Sequence, residues 1–171
     1  LALVGLLAAA PPPPVVWIEG ESAAVAGPLA AAATRRPEYL SGGEWLTADA
    51  PTDDVPPDGL AAAYEFAAPT AAAYHVWARV GADATRSPFR WRIDGRDWET
   101  VPPDRDATDL MAVAPDAPVG WLKLDTVDLP AGPHTLSVRV PRPTGDAKRV
   151  RFAVDAFALT PDHRVTWTAA G

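Results

Sequence analysis

The sequence predicts an all-β protein built as an antiparallel β-sandwich. Short apolar segments alternate in polarity with a period of two, and turn residues end them about every ten residues. No segment carries a convincing helical pattern, because the best candidate, residues 30–36, is bracketed by Pro28 and Pro37 and allows at most a helical turn. With 171 residues, 48% of them hydrophobic, the chain is long enough for one domain with its own core.

Eight segments carry the strand pattern. The clearest covers residues 74–80, where Tyr74 and Val76 point to one face and His75 and Trp77 to the other. The dipeptide Asp94-Gly95 predicts the turn of a hairpin. Residues 110–118 are expected to form a long loop. The predicted strands are 15–18, 60–66, 74–80, 89–93, 98–101, 121–127, 134–140 and 150–159.

Both ends of the chain lie outside the predicted sandwich, which spans residues 15–162. Residues 1–10 are uniformly apolar and lead into a proline run at 11–14, which predicts a stiff spacer. The apolar segment is typical of a signal-peptide remnant and favours export; a linker from a longer chain is the alternative. It is too short to span a bilayer, so no membrane insertion is expected. Residues 163–171 are interpreted as a tail.

Charge and cysteine content exclude several classes of function. The net charge is −7 and the isoelectric point about 4.8, so the surface repels phosphate backbones and nucleic acid is not an expected partner. The chain has no cysteine, which excludes disulfides, thiolate metal sites and a cysteine nucleophile.

The sequence favours a protein that is not an enzyme. No serine lies in a Gly-x-Ser-x-Gly elbow. His75 and His134 fall inside strands without metal-ligand spacing and are interpreted as solvent-facing. Most carboxylates lie in proline-rich loops, where they are expected to be solvated. A jelly-roll lyase or glycosidase remains the third alternative, since sequence does not exclude a positioned carboxylate pair.

The segment Glu19-Gly20-Glu21 at the end of the first strand predicts a calcium site. Two carboxylates one residue apart point the same way from an extended chain and repel each other. A hard cation with oxygen ligands removes that cost. Asp155, inside an apolar strand, is the natural third ligand, because a buried aspartate needs a partner. The alternative is that Asp155 pairs with an arginine, for example Arg149 or Arg151.

The order and spacing of several motifs resemble the carbohydrate-binding modules of families 6 and 35. This resemblance covers roughly residues 15–161 and implies a galactose-binding-like jelly roll. It also implies a structural calcium held by Glu19, Glu21 and Asp155. The motifs are Ile18-Glu19-Gly20-Glu21, Gly42-Gly43-Glu44-Trp45, Tyr64-Glu65-Phe66, Phe89-x-Trp91-x-Ile93-Asp94-Gly95, Gly120-Trp121, Leu129-Pro130-Ala131-Gly132 and Val154-Asp155-Ala156-Phe157.

The resemblance further implies a sugar site on the loops at one end of the sandwich. Trp121 matches a position that is often an aromatic platform, and indole rings pack well against sugar faces. Many family members carry a sugar-binding asparagine two residues before the terminal-strand aspartate, where this chain has Ala153. Trp45 and Trp98 lie beside turn residues and are further candidates for ligand binding.

The sequence therefore predicts a non-catalytic, calcium-stabilised carbohydrate-binding module of a secreted or surface protein. Its expected partner is a polysaccharide or other glycan, and it is expected to belong to a larger enzyme or surface assembly. The alternative is a structural or adhesive surface sandwich that binds protein and no sugar. Ala153 and the acidic, proline-rich loops favour that alternative.

Overall fold

The computed structural model describes residues 15–82, 86–114 and 117–161, so the predicted leader (1–14) and tail (163–171) lie outside the described residues. Strands dominate these ranges. They are β1 (Val16–Glu19), β2 (Ala24–Ala26), β3 (Ala30–Ala33), β4 (Glu44–Pro51), β5 (Leu60–Ala68), β6 (Ala72–Gly81), β7 (Phe89–Ile93), β8 (Glu99–Val101), β9 (Thr108–Ala114), β10 (Ala117–Leu129), β11 (Gly132–Val140) and β12 (Arg149–Thr160).

The strands form two antiparallel sheets, which confirms the predicted sandwich. The larger sheet has seven strands in the order β3-β4-β12-β6-β10-β9, and β1 also pairs with β12. The smaller sheet has five strands in the order β2-β5-β11-β7-β8. Strand β4 pairs with residues 149–154 of β12 and β1 with residues 156–159, so β4 and β1 lie end to end along one long partner.

One core fills the space between the two sheets. Buried side chains alternate with half-buried or exposed ones along the most regular strands, as in the pattern of β5. Aromatic rings meet across the layers: Tyr64 and Phe157 at 5.1 Å between centroids, and Phe89 and Phe152 at 5.3 Å, both edge to face. Trp91 is core, at 2% exposure. Each such side chain contributes about 1.5–3 kcal/mol by leaving water.

Strands β2 and β4 were not among the predicted segments, and two further segments form strands where another structure was expected. Residues Ala30–Ala33 form strand β3, because they pair with β4 and Pro28 and Pro37 prevent a helix between them. Residues Thr108–Ala114 form strand β9, which pairs with β10 where a loop was expected. In both cases the partner strand supplies hydrogen bonds that the local sequence pattern does not indicate.

His134 is buried, contrary to the solvent-facing position expected for it. Its Nδ1 lies 2.9 Å from Asp94 Oδ2, and its Nε2 lies 2.9 Å from the carbonyl of Pro130. Burial alone would lower the pKa of His134, but the hydrogen bonds and the charge of Asp94 outweigh it and raise that pKa. The pair ties the β7–β8 turn to β11.

Within the described residues, no helix is long and apolar enough to cross a membrane.

A bulge in β12 sets the geometry of the region where β1 ends. The pairing of β12 with β4 ends at Val154, and its register against β6 shifts between Val154 and Ala156, which leaves Asp155 as the extra residue. Gly20, directly after β1, packs against this bulge. A Cβ on Gly20 would lie 2.2 Å from the carbonyl oxygen of Val154, so only glycine fits there.

We predict that Gly20→Ala lowers the free energy of unfolding by about 1–3 kcal/mol, because backbone has to move to admit the methyl group. Gly95→Ala is the matched control, since no described atom lies within 4 Å of the position that its Cβ would take. Urea unfolding of both variants measures the difference. Equal stability of the two variants would show that β1 does not approach the bulge this closely.

Candidate functional site

The bulge of β12 brings together two turns and three carboxylates. The 3-10 turn Gly20–Ser22 follows β1, and the 3-10 turn Ser41–Gly43 precedes β4. Ser41 joins them: its hydroxyl donates to Glu19 Oε1 at 2.8 Å, and its backbone N–H donates to Asp155 Oδ1 at 2.8 Å. The three predicted metal ligands are therefore neighbours of one turn.

Glu19 and Glu21 each keep one carboxylate oxygen without a hydrogen-bond partner among the described residues. Glu19 Oε1 accepts from Trp17 Nε1 at 3.0 Å as well as from Ser41, but Glu19 Oε2 and Glu21 Oε2 are buried and unsatisfied. Both side chains converge on Gly42, whose φ is +64°. A Cβ there would lie 2.6 Å from Glu21 Oε1 and 3.9 Å from Glu19 Oε2. We call Glu19, Glu21 and Gly42 the acidic cradle.

Asp155 is fully buried and forms an ion pair with Arg79. Arg79 Nη1 donates to Asp155 Oδ2 at 2.7 Å and to the carbonyl of Tyr39 at 2.7 Å. Both oxygens of Asp155 thus have a protein donor. The arginine pairing that the sequence left open for Asp155 is confirmed, but the partner is Arg79, since the two examples, Arg149 and Arg151, bind Asp49. Arg79 lies in the clearest predicted strand, but nothing in the sequence singled it out.

The electrostatics of this region disfavour negative charge. Burial raises the pKa of Glu21, and the charges of Glu19 and Glu44 raise it further. Burial raises the pKa of Asp155 to about 6, although Arg79 and Ser41 oppose that shift. A cation beside Glu21 would relieve that carboxylate directly, whereas Asp155 already has the Arg79 guanidinium beside it.

The acidic cradle has the donor chemistry that calcium prefers: two carboxylates with orphaned oxygens close to a glycine turn. Asp155 is linked to it only through Ser41 and is already engaged by Arg79. In the described part of the chain, no set of three or more His, Cys, Asp or Glu side chains is placed to hold a metal ion. Backbone or water oxygens would have to complete the coordination of an ion on Glu19 and Glu21.

The predicted aromatic platform, Trp121, is buried. The residue is 4% exposed, and its ring meets that of Trp17 edge to face, with centroids 5.6 Å apart. It packs on Ala156 and Ala158, with Trp77 beside them. Trp17 covers this cluster and is itself 42% exposed. On this face of the seven-stranded sheet, Trp17 rather than Trp121 is the ring that solvent reaches.

Trp45 and Ala153 lie in a second, smaller apolar cluster. Trp45 is 8% exposed, and Ala153 is 2% exposed. Strand β9 supplies Val113 to this cluster and closes it from outside. The position at which the resembling modules carry a sugar-binding asparagine is thus sealed by apolar side chains, since its cluster comprises Leu40, Trp45, Val113, Val119 and Ala153.

Trp98 lies at a groove on the outer face of the five-stranded sheet. The ring is half-buried, with the guanidinium carbon of Arg92 4.4 Å and that of Arg139 5.3 Å from its centroid. The groove has a volume of about 260 Å³. The sequence indicated Trp98 but neither arginine. The lining residues are Ala24, Val25, Ala26, Ala61, Ala62, Ala63, Arg92, Trp98, Ser137, Val138 and Arg139.

Two solved modules share this fold over nearly their whole length. The C-terminal CBM6 of LamC, a marine laminarinase from Zobellia galactanivorans, has a TM-score of 0.54 at 14% identity, with 86% of this chain and 99% of that chain covered. The family 35 carbohydrate binding module from Clostridium thermocellum has a TM-score of 0.54 at 13% identity, with 84% and 97% covered. The predicted likeness of fold to families 6 and 35 is confirmed.

A larger enzyme contains the same fold as one part. The GH26-CBM35 β-(1,4)-mannanase from Podospora anserina has a TM-score of 0.61 at 14% identity, and the match covers 89% of this chain. The chain spans 28% of that enzyme's length. No protein-family model matches the sequence, and no curated protein matches it. At these identities the comparisons establish a shared fold.

We predict that Ala153→Asn destabilises the protein by about 1–3 kcal/mol, because it buries a larger, polar side chain among the apolar residues of this cluster. Ala112→Asn is the matched control, since Ala112 is exposed on β9. Thermal unfolding of both variants measures the effect. A neutral Ala153→Asn would mean that β9 leaves this position open to water.

Proposed function

We propose that this chain is a non-catalytic carbohydrate-binding module of a secreted or cell-surface protein, and that it serves a larger enzyme or assembly. The observation that carries the proposal is the groove on the five-stranded sheet, which combines a half-buried indole with polar groups along an open floor. Sugar rings present an apolar face and a hydroxyl rim, which such a surface matches.

The structural neighbours support this function. Two of them are carbohydrate-binding modules that this chain covers almost completely. In the mannanase the same fold is one part of a longer catalytic chain. A module of this size, attached to a catalytic domain, would raise the local concentration of that domain on its polymer. Export is part of the proposal, because polysaccharide substrates of this kind lie outside the cell.

The chemistry of the groove supports binding without catalysis. Its lining residues are alanine, valine, serine, arginine and tryptophan, with no carboxylate, histidine or tyrosine among those described. Glycoside hydrolysis needs two positioned carboxylates, one as acid and one as base or nucleophile. A glycan in this groove would be held by apolar contact and hydrogen bonds, and no described lining group would attack it.

We further propose that calcium binds the acidic cradle and stabilises the fold. The unsatisfied oxygens of Glu19 and Glu21 support this, as does the raised pKa of Glu21. When bound, the ion would neutralise the repulsion between the two carboxylates and would tie the end of β1 to the Ser41–Gly43 turn. Asp155 would not bind the ion itself but would support the site indirectly, because it orients Ser41, which in turn holds Glu19.

We predict that saturating calcium raises the melting temperature by about 5 °C or more. Because the pKa of Glu21 is raised in the folded protein, stability without calcium falls as pH rises from the ordinary pKa of a glutamate to the raised one. The gain from calcium is therefore larger at neutral pH, above this window, than at acidic pH below it. Scanning calorimetry with calcium and with chelator measures it.

The variant Glu21→Gln should remove most of this gain and should itself be more stable than the parent protein in chelator. Glu38→Gln is the control, because Glu38 is exposed and outside the cradle. An equal calcium shift in the parent protein and in Glu21→Gln would place the ion elsewhere.

We predict that Trp98→Ala lowers affinity for a bound polysaccharide by about tenfold or more, which corresponds to about 1.4 kcal/mol. Trp17→Ala, on the exposed ring of the opposite sheet, is the comparison. Affinity electrophoresis on a panel of plant, algal and bacterial polysaccharides measures both. Loss in Trp17→Ala with Trp98→Ala unaffected would move the binding surface to the seven-stranded sheet.

Protein assembly is the second candidate function, and exposed apolar side chains at β1 favour it. Val15 is 43% and Trp17 42% exposed, and the two lie two residues apart at the start of this strand. If no polysaccharide binds and the molecule associates as its concentration rises, with association lost in Trp17→Ala, assembly replaces glycan binding as the function.

A further inference from the structure

The groove beside Trp98 carries positive charge on an otherwise acidic protein. The chain has a net charge of −7, yet the charged residues that line the groove are Arg92 and Arg139. Three other arginines, Arg142, Arg149 and Arg151, are by contrast paired with carboxylates. A local concentration of like charge against the overall balance points to a ligand of opposite charge.

The register of the sheet explains the shape of the groove. Ala24, Ala63, Ser137 and Arg92 lie side by side across β2, β5, β11 and β7. In the neighbouring row, Ala26 and Ala61 lie beside Arg139. One half of the groove therefore consists of small side chains and the other half of arginines and tryptophan. The difference in side-chain length between the two halves leaves an open surface above the alanines, which we call the alanine shelf. A chain molecule can lie along this shelf against the sheet.

Within the described ranges, neither groove arginine has an acidic partner. No ion pair of these residues joins Arg92 or Arg139 to a carboxylate, and the Nε of Arg92 is buried without a described acceptor. Glu65, on the neighbouring strand β5, accepts instead from the hydroxyl of Thr135 at 3.0 Å. The remaining N–H groups of the two guanidinium groups are donors without a carboxylate partner in the described structure, and a bound carboxylate would supply one.

Trp98 holds the two guanidinium groups at one place. Both stack on its ring, at 4.4 Å and 5.3 Å from the centroid, which restricts the rotamers of two long side chains. A guanidinium restricted in this way presents a planar fork of N–H donors, and a carboxylate matches that fork with two parallel hydrogen bonds. Less side-chain entropy is then lost when the carboxylate binds.

We propose that this groove binds a polysaccharide that carries uronic acid residues, with the carboxylate on Arg92 and Arg139 and the sugar rings over the alanine shelf and the exposed part of Trp98. This assignment rests on the proposed function and names its substrate class. A neutral glycan would leave the guanidinium pair unused.

The test compares a uronate polymer with its own methyl ester. Polygalacturonate and fully methyl-esterified polygalacturonate share one backbone and differ in the charge of the carboxyl group. Isothermal titration calorimetry on the full 171-residue chain, with calcium held constant, is expected to show binding of the free acid tighter by about tenfold or more. Because exposed charges are screened by salt, that preference should shrink between low and high ionic strength.

Arg92→Gln and Arg139→Gln are each expected to lower affinity for the free acid about tenfold and to leave any binding of the ester unchanged. Arg149→Gln is the matched control: it removes the same charge from the other sheet and should change neither. Folding of each variant is checked by its melting temperature.

Four results would overturn the assignment. Equal binding of acid and ester, with both lost in Trp98→Ala, would refute the uronate specificity and keep the glycan-binding function. Equal effects of Arg149→Gln and Arg92→Gln would reduce the preference to overall charge. Equal binding of a sulfated polymer such as dextran sulfate would refute recognition of the carboxylate. Failure of every polysaccharide, neutral or acidic, would refute the proposed function itself.

Discussion

The buried ion pair between Asp155 and Arg79 is the constraint on which the region around the bulge depends. Asp155 is fully buried, and its two oxygens hold the Ser41 backbone and the Arg79 guanidinium. Arg79 in turn donates to the carbonyl of Tyr39, so strand β12, strand β6 and the turn before β4 share one network. Removal of one partner would leave an uncompensated buried charge, at a cost of about 3–5 kcal/mol. The bulge turns this aspartate away from the sandwich core, where it would have no partner of this kind.

This network also separates two regions of different chemistry. On one side, Ser41 donates its hydroxyl to Glu19, and the acidic cradle forms at the end of β1. On the other side, β9 closes over Trp45 and Ala153. The carboxylates of the acidic cradle and the apolar seal therefore lie within a few residues of each other on the same sheet. A ligand that needs a polar, open pocket has no room at the seal, whereas the groove on the opposite sheet is open to solvent.

Strands with clear alternation were predictable from the sequence, and the bulge was not. Segments such as 74–80 and 134–140 bury every second residue along most of their length, so the local pattern predicts that they are strands. Ala30–Ala33 carries no alternation, and its strand exists only because β4 lies beside it. The sequence suggested arginines close to Asp155 along the chain as its partner. The bulge instead places Asp155 beside the adjacent strand β6, where it pairs with Arg79. The groove could not be predicted from the sequence either, because only the cross-strand register places Ala63, Ser137 and Arg92 in one row.

The alanine-rich composition has a structural role that composition alone conceals. On a sheet face, a side chain of one carbon leaves the backbone within reach of a bound molecule, whereas larger residues would fill that space. The groove positions of β2 and β5 are mostly alanines, while β7 and β11 contribute Arg92 and Arg139. The depth of the groove is thus the difference in length between these two kinds of side chain. Extra carbon atoms on the shelf would fill the groove from outside and leave the core between the sheets untouched, so the groove and the core make separate demands on the two faces of β5.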